Sequence, residues 1–250
     1  MTLIISWIAV DHKKDGKEIS SIYIASDSRY SWGNSGKFDN GIKVFGSAKF
    51  PEIFGFCGDV LFPSIVLGQL IPQIDNGILI DETDTCKRKN EKIYSFISSS
   101  LELYPKNFLG NTFTILHATR VKKDFKLYKT TFSKNEGLMN KEIGLPKIST
   151  KVFSGGSGSV EFDQNWLKWN NKKHNDFRTS RAVYHCLDQT LKTIKDKETG
   201  GLPQIVGLYR INNAQLFGII ENGIRYVYGK ESSEDINSEK LNGVTQILKE

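Results

Sequence analysis

Threonine follows the initiator methionine in this chain, and an acid, Asp27, and a lysine, Lys43, follow it in the next apolar segments. With Met1 removed, Thr2 would carry its hydroxyl beside a free α-amine, a nucleophile with its own general base. An unperturbed α-amine titrates at roughly 7.7–8.0 and is substantially neutral near physiological pH. With Met1 retained, the same nitrogen is an amide and accepts no proton. Thr2 alone is also simply a common second residue, so its reading depends on its company. Lys43 lies in "GIKVFG", where alternation puts Ile42 and Val44 on one strand face and Lys43 and Phe45 on the other. A lysine in so short an apolar strand is costly unless an acid pairs with it. Asp27, in "ASDSRYSWG" at the end of a strand, is the candidate partner; taken alone it would be a turn or cap aspartate. A cation near the α-amine would lower its pKa and keep it available as a base.

Two glycine-rich stretches could serve the same site. "GGSGS" at 155–159 reads as a linker or tight turn, yet it joins a strand to a helical segment. There Gly permits close backbone approach and Ser can bond to a neighbour. "DKETGG" at 196–201 reads as a helix C-terminus ended by glycine.

The elements that must position these residues start with strands: Thr2–Val10, then a polar turn "DHKKDGKE", then Ile19–Asp27. Ile42–Phe45 and Ile53–Cys57 read as short strands, Val60–Ile74 as a helix. Residues 91–104 place Ile93, Phe96, Ile97, Leu101 and Tyr104 at helical spacing. Thr112–Thr119 and Phe125–Phe132 return to strand character, with a polar loop near 134–149 and a strand at Thr150–Phe153. A helical region covers about 159–198, interrupted by "NNKKHND"; strands follow at Gln204–Ile211 and Gln215–Tyr228. Two antiparallel sheets face to face, covered by helices, would accommodate this order. The expectation is one domain over 1–230 and a polar tail over 231–250.

Bulk composition excludes little. The chain has 250 residues, 38% apolar and 25% charged, with a net charge of +6. Its basic pairs are scattered with no aromatic-interleaved stripe beside them, so nucleic acid is not the expected partner. Three cysteines without CxxC spacing fit a reducing cytoplasm. "TLIISWIAV" lacks basic residues ahead of it and a cleavage-like end, and "VLFPSIVLGQLIPQI" is broken and too short to span a bilayer. A cytoplasmic protein with no membrane partner is expected.

In combination these motifs resemble the proteasome-type threonine peptidases, the β-subunit branch of the N-terminal-nucleophile (Ntn) hydrolases, and within them the bacterial stand-alone type. "DSRYSWG" from Asp27 to Gly33 is similar to the family's D-S-R-x-[ST]-x-G, and Lys43 falls in its K-[VI]-apolar strand. "GFCG" looks like the G-x-A-G turn, with Cys57 in the small-residue place. Gly156-Ser157-Gly158 matches G-S-G, and Asp196 to Gly201 matches D-x-x-S-G-G with Thr199 replacing Ser.

The resemblance implies an α+β fold, a four-layer αββα sandwich of two antiparallel sheets with helices on both outer faces. It implies Thr2 as nucleophile with its amine as base, Asp27 holding Lys43, and Lys43 tuning the amine. Ser157, Asp196 and Thr199 would orient the terminus and a water, and the Gly58 N–H would be the oxyanion donor. Tyr30, Gly41, Phe45, Phe56 and Val60 would wall a substrate pocket for hydrophobic side chains, although Phe45 and Phe56 read equally as core. No metal or cofactor is implied. The implied partners are a peptide or unfolded protein substrate, further copies of the chain in a ring-like homo-oligomer, and a separate ATPase, since no nucleotide-binding motif appears here. The first hairpin and the stretch at 165–178 are longer than the family pattern, and no propeptide is expected. An Ntn amidohydrolase acting on a small amide, and a silent structural or sensor subunit, are the alternatives.

Overall fold

The structure is a computed structural model that describes residues 2–13, 16–211, 213–232 and 244–248. β1 (Ile4–Lys13) and β2 (Gly16–Ser26) pair as one long antiparallel hairpin with Ile4 opposite Ser26. The polar stretch expected as a turn thus continues both strands, and positions 14 and 15 of that expected turn lie outside the described residues. A small ribbon follows, β3 (Tyr30–Ser31) with β4 (Lys37–Phe38). β5 (Val44–Gly46) and β6 (Glu52–Gly58) lead into α1 (Leu61–Asp75) and α2 (Cys86–Leu103). β7 (Thr112–Val121), β8 (Asp124–Ser133) and β9 (Gly137–Ile143) form a meander. β10 (Thr150–Gly155) runs into α3 (Ser159–Trp169) and α4 (Ser180–Thr193). Then come β11 (Gln204–Tyr209), β12 (Gln215–Glu221), β13 (Ile224–Val227), β14 (Lys230–Glu231) and β15 (Val244–Leu248).

Local chemistry sets several of these boundaries. Thr85 Oγ1 accepts the Arg88 N–H at the start of α2, and Thr179 Oγ1 accepts that of Ala182 at the start of α4. Each such cap is worth about 1 kcal/mol. Asn222 and Gly223, at φ 51° and 76°, make the tight left-handed turn that splits the expected strand Gln215–Tyr228 into β12 and β13. α4 ends at Thr193, so "DKETGG" is a free-standing turn rather than a helix end.

The expected four-layer αββα sandwich of two antiparallel sheets is corrected by the strand pairing. The described residues are mainly β, with four α-helices and their strands in three sheets. The first runs β10-β1-β2-β11-β12-β13-β14, with β15 parallel to β12; the second is the β3-β4 ribbon; the third runs β5-β6-β7-β8-β9. The reason is that ladder hydrogen bonds belong to the backbone, so polar segments read as loops or tail (β9, β14, β15) pair wherever an edge receives them.

Apolar side chains gather in three clusters. Phe62, Val66 and Leu70 of α1 and Ile93 and Ile97 of α2 pack on Phe54, Phe56 and Phe113. Phe162 and Trp166 of α3 join Val183 and Leu187 of α4 on Leu3, Ile5, Trp7 and Ile205. Ile4, Ile24, Val44, Ile53, Leu116 and Val206 form the third. Leu3 and the start of β1 therefore contribute to two clusters on alternate faces, which fixes the adjoining Thr2. Among the described residues no helix is long and apolar enough to cross a membrane.

Candidate active site

Thr2 is fully buried at the head of β1. The Lys43 ammonium donates to Thr2 Oγ1 at 2.6 Å and to Asp27 Oδ1 at 2.9 Å, with both ionic side chains fully buried. Register places the acid: the Asp27 N–H donates to the Leu3 carbonyl at 3.2 Å, and Leu3 N–H returns a bond to Asp27 Oδ1 at 2.9 Å. Oδ2 accepts from the N–H groups of Gly200, 2.9 Å, and Arg29, 3.3 Å. Four donors thus surround this carboxylate, which is what a buried charge requires. Burial pushes Lys43 below the ordinary lysine value, while Asp27 works in the opposite direction.

Lys43 does not sit inside a strand, as its alternation suggested; β5 begins at Val44. Its backbone N–H donates instead to Gln204 Oε1 at 3.0 Å, and Gln204 Nε2 bonds the carbonyls of Gly41 and Tyr228. Gln204 is buried opposite Ser26 in β11 and so ties the Lys43 segment to the Asp27 strand. Sequence reasoning missed it; the available signal was a glutamine heading the apolar run "QIVGLY". Arg29 was also missed. Its guanidinium pairs with Asp39 at 2.7 and 2.8 Å and donates to the carbonyls of Lys197 and Thr199, both at 3.2 Å. It therefore anchors the turn that supplies Gly200.

Ser157, Asp196 and Thr199 come together on the other side of Thr2. The Thr2 N–H donates to Ser157 Oγ at 3.1 Å, Ser157 donates to Asp196 Oδ2, and Thr199 Oγ1 donates to the same oxygen at 2.7 Å. Although partial burial raises it, Asp196 is held below the usual carboxylate value by these two hydroxyls and the Glu198 N–H. Gly156 is required here: its φ is 89°, and a Cβ would stand 2.0 Å from the Thr2 carbonyl oxygen. Gly158 N–H donates to that oxygen at 3.2 Å.

Beside this constellation lies a cavity of about 600 Å³. Tyr30 connects the two. Its ring lines the cavity and lies 5.9 Å from Lys43 Nζ, and its hydroxyl donates to the Ile42 carbonyl. Burial pushes the Tyr30 phenol up to about 12. Val60, expected as a pocket wall, and Gly58, expected as the oxyanion donor, also line this cavity. Gly58 ends β6 with φ 94°, where a Cβ would meet the Thr112 carbonyl oxygen at 2.5 Å. The other expected wall residues lie elsewhere. Phe56 is fully buried in the core with α1 and α2, Phe45 packs against that cluster, and Gly41 lies against the Tyr30 ring, which a Cβ would enter at 2.3 Å. Ser31, Trp32, Asp59, Leu61, Ser64, Gly110, Asn111 and Thr112 complete the lining. None of these was singled out as pocket wall, because the β3 end, the start of α1 and the segment leading into β7 meet only in the fold.

Among the described residues no group of three or more His, Cys, Asp or Glu is placed to hold a metal ion. Compared with known proteins, the sequence matches no family model and no curated protein.

Proposed function

We propose that this protein is a threonine-nucleophile amide hydrolase whose substrates are peptides. The observation that carries the reading is the 2.6 Å bond from Lys43 Nζ to Thr2 Oγ1, with Asp27 behind the lysine at 2.9 Å. A hydroxyl held against a fully buried ammonium is a poor structural device, since the pair costs desolvation that a packed apolar group would not. It is a good way to stabilise a developing alkoxide. The resemblance to proteasome-type threonine peptidases supports the same roles.

With Met1 present the Thr2 nitrogen is an amide, so removal of Met1 is the activating step. The freed amine then stands beside Ser157 Oγ, which accepts from it while donating to Asp196. Lys43 holds the amine partly neutral by its charge. Thr2 Oγ attacks the substrate carbonyl carbon and its proton passes to the α-amine. The C–N bond then breaks and the leaving amine takes that proton, leaving an ester on Thr2. Water adds to the ester, its proton again taken by the α-amine; the acyl C–Oγ bond then breaks, Thr2 Oγ takes that proton back, and the acid is released. Gly58, in the cavity wall, is the assigned oxyanion donor; one such donor is worth about 3–4 kcal/mol of barrier. Tyr30 and Val60 face the substrate. The reading takes with it a cytoplasmic setting, in keeping with three free, buried thiols, and a ring-like homo-oligomer fed by a separate ATPase.

Intact mass before and after incubation with a peptide epoxyketone tests it, because that reagent closes its ring on a hydroxyl and free α-amine of one residue. One adduct on the species lacking Met1, and none on a Thr2→Ala variant, is the expected result. A species lacking Met1 that takes no adduct overturns the proposal.

A further inference from the structure

The cavity beside Tyr30 has a charge character that its apolar surface conceals. Asp59 carries a carboxylate at its wall, and no Lys, Arg or His is present among its lining residues. That carboxylate is fixed in place. Oδ1 accepts the Leu61 N–H at 3.1 Å and Oδ2 the Gly110 N–H at 2.9 Å. Gly110 lets it lie flat against the backbone, since a Cβ there would stand 2.8 Å from Asp59 Cβ and 2.9 Å from Cγ. An acid just ahead of a helix ordinarily bonds its own turn, and the Leu61 bond, two residues on, is of that kind. The Gly110 bond is not, and it ties the second oxygen to the 110–112 segment of the lining. Each oxygen uses one acceptor position, and an ionised carboxylate offers about four. Tyr30, Val60 and Leu61 supply apolar lining, and Trp32, 59% exposed, is part of the same wall.

We propose that this cavity receives the side chain of an arginine or lysine residue of the substrate, with Asp59 as its counter-ion. The proposal rests on the peptidase reading and adds the substrate class. A largely apolar lining with one carboxylate in its wall matches a long methylene stem with a cationic tip. An apolar side chain would instead strip water from acceptors of Asp59 and leave them unpaired. An acidic one would meet a like charge. The indole of Trp32 favours a guanidinium or ammonium over a neutral group. This replaces the hydrophobic preference expected from Tyr30, Val60 and the two phenylalanines.

The test uses the protein lacking Met1 and fluorogenic peptides identical except for Arg, Lys, norleucine, Phe or Glu before the scissile bond. The expected result is kcat/KM at least about tenfold higher for Arg than for norleucine, with Glu lowest. Asp59→Asn should bring the Arg to norleucine ratio to about one, and Asp59→Ser, which still accepts an N–H, should do the same if the first variant fails to fold. A ratio near one in the unmodified protein overturns the inference and leaves the peptidase reading standing. If no peptide is cleaved, the peptidase reading fails, and binding decides the cavity by itself. Titration of N-acetyl-argininamide against N-acetyl-norleucinamide, read at the Trp32 indole N–H by NMR, should show at least about tenfold tighter binding of the first. Equal binding of the two overturns the inference.

Discussion

The Tyr30 ring lies 5.9 Å from the Lys43 ammonium nitrogen while lining the neighbouring cavity, so one side chain borders both the buried ion pair and that cavity. Replacing it separates these functions. Tyr30→Phe keeps the ring and loses the hydroxyl's bonds to the Ile42 carbonyl and to Ser64, for about 1–2 kcal/mol. Tyr30→Ala removes the ring from Lys43 and from Gly41 and should cost about 3–5 kcal/mol in urea unfolding.

Lys43→Met leaves the Asp27 carboxylate buried with only backbone donors, and a broken buried pair costs about 3–5 kcal/mol. The double variant Asp27→Asn with Lys43→Met should recover part of that loss, which double-mutant analysis of chemical unfolding reads directly. Both variants should lower peptide hydrolysis by about 10²–10⁴-fold.

Phe56 and Val60 distinguish core from pocket wall. Phe56→Ala should lower stability by about 3–5 kcal/mol, because the ring is fully buried among α1, α2 and the sheet. Val60→Ala lines the cavity and is only partly buried, so its effect belongs in KM, with a stability change under about 1.5 kcal/mol.

Gly156→Ala meets both a φ of 89° and a Cβ position 2.0 Å from the Thr2 carbonyl oxygen. Strain of this kind costs about 1–3 kcal/mol, and the displaced Thr2 should lose reactivity toward the epoxyketone even where thermal melting shows a folded protein.

Asp196 is held below the usual carboxylate value, so folding favours its ionised form. The stability it contributes is present above the unfolded value of about 3.9 and is lost as pH falls through its lower folded value. Asp196→Asn should therefore flatten the acid limb of a stability–pH profile measured between about pH 5 and 2, with no change in slope above it.

The Asp27–Lys43 pairing was legible because a charge in an apolar segment must find a partner, and only one acid stood at a strand end nearby. Ser157, Asp196 and Thr199 were legible through the motif resemblance and are brought to one carboxylate. Gln204 was not legible, because its partners are backbone groups at 41, 43 and 228 and no side-chain pattern announces them. Phe56 and Tyr30 look alike in sequence, yet burial separates a core ring from a cavity wall. The sheet arrangement was misread where half-exposed, largely polar segments such as "GLMNKEI" carry no clear alternation yet pair through the backbone ladder, with only Leu138 and Ile143 packing on the core.

The three free thiols occupy three different regions. Cys57 touches the glycine corner that holds Thr2, Cys86 opens α2, and Cys186 lies within α4 among the aromatic residues of that cluster. All are buried, so a thiol reagent reaches each only when its own surroundings open. The order in which they are labelled under native conditions would time the loosening of each region separately, turning the chain's own sulfur atoms into a clock for its local unfolding.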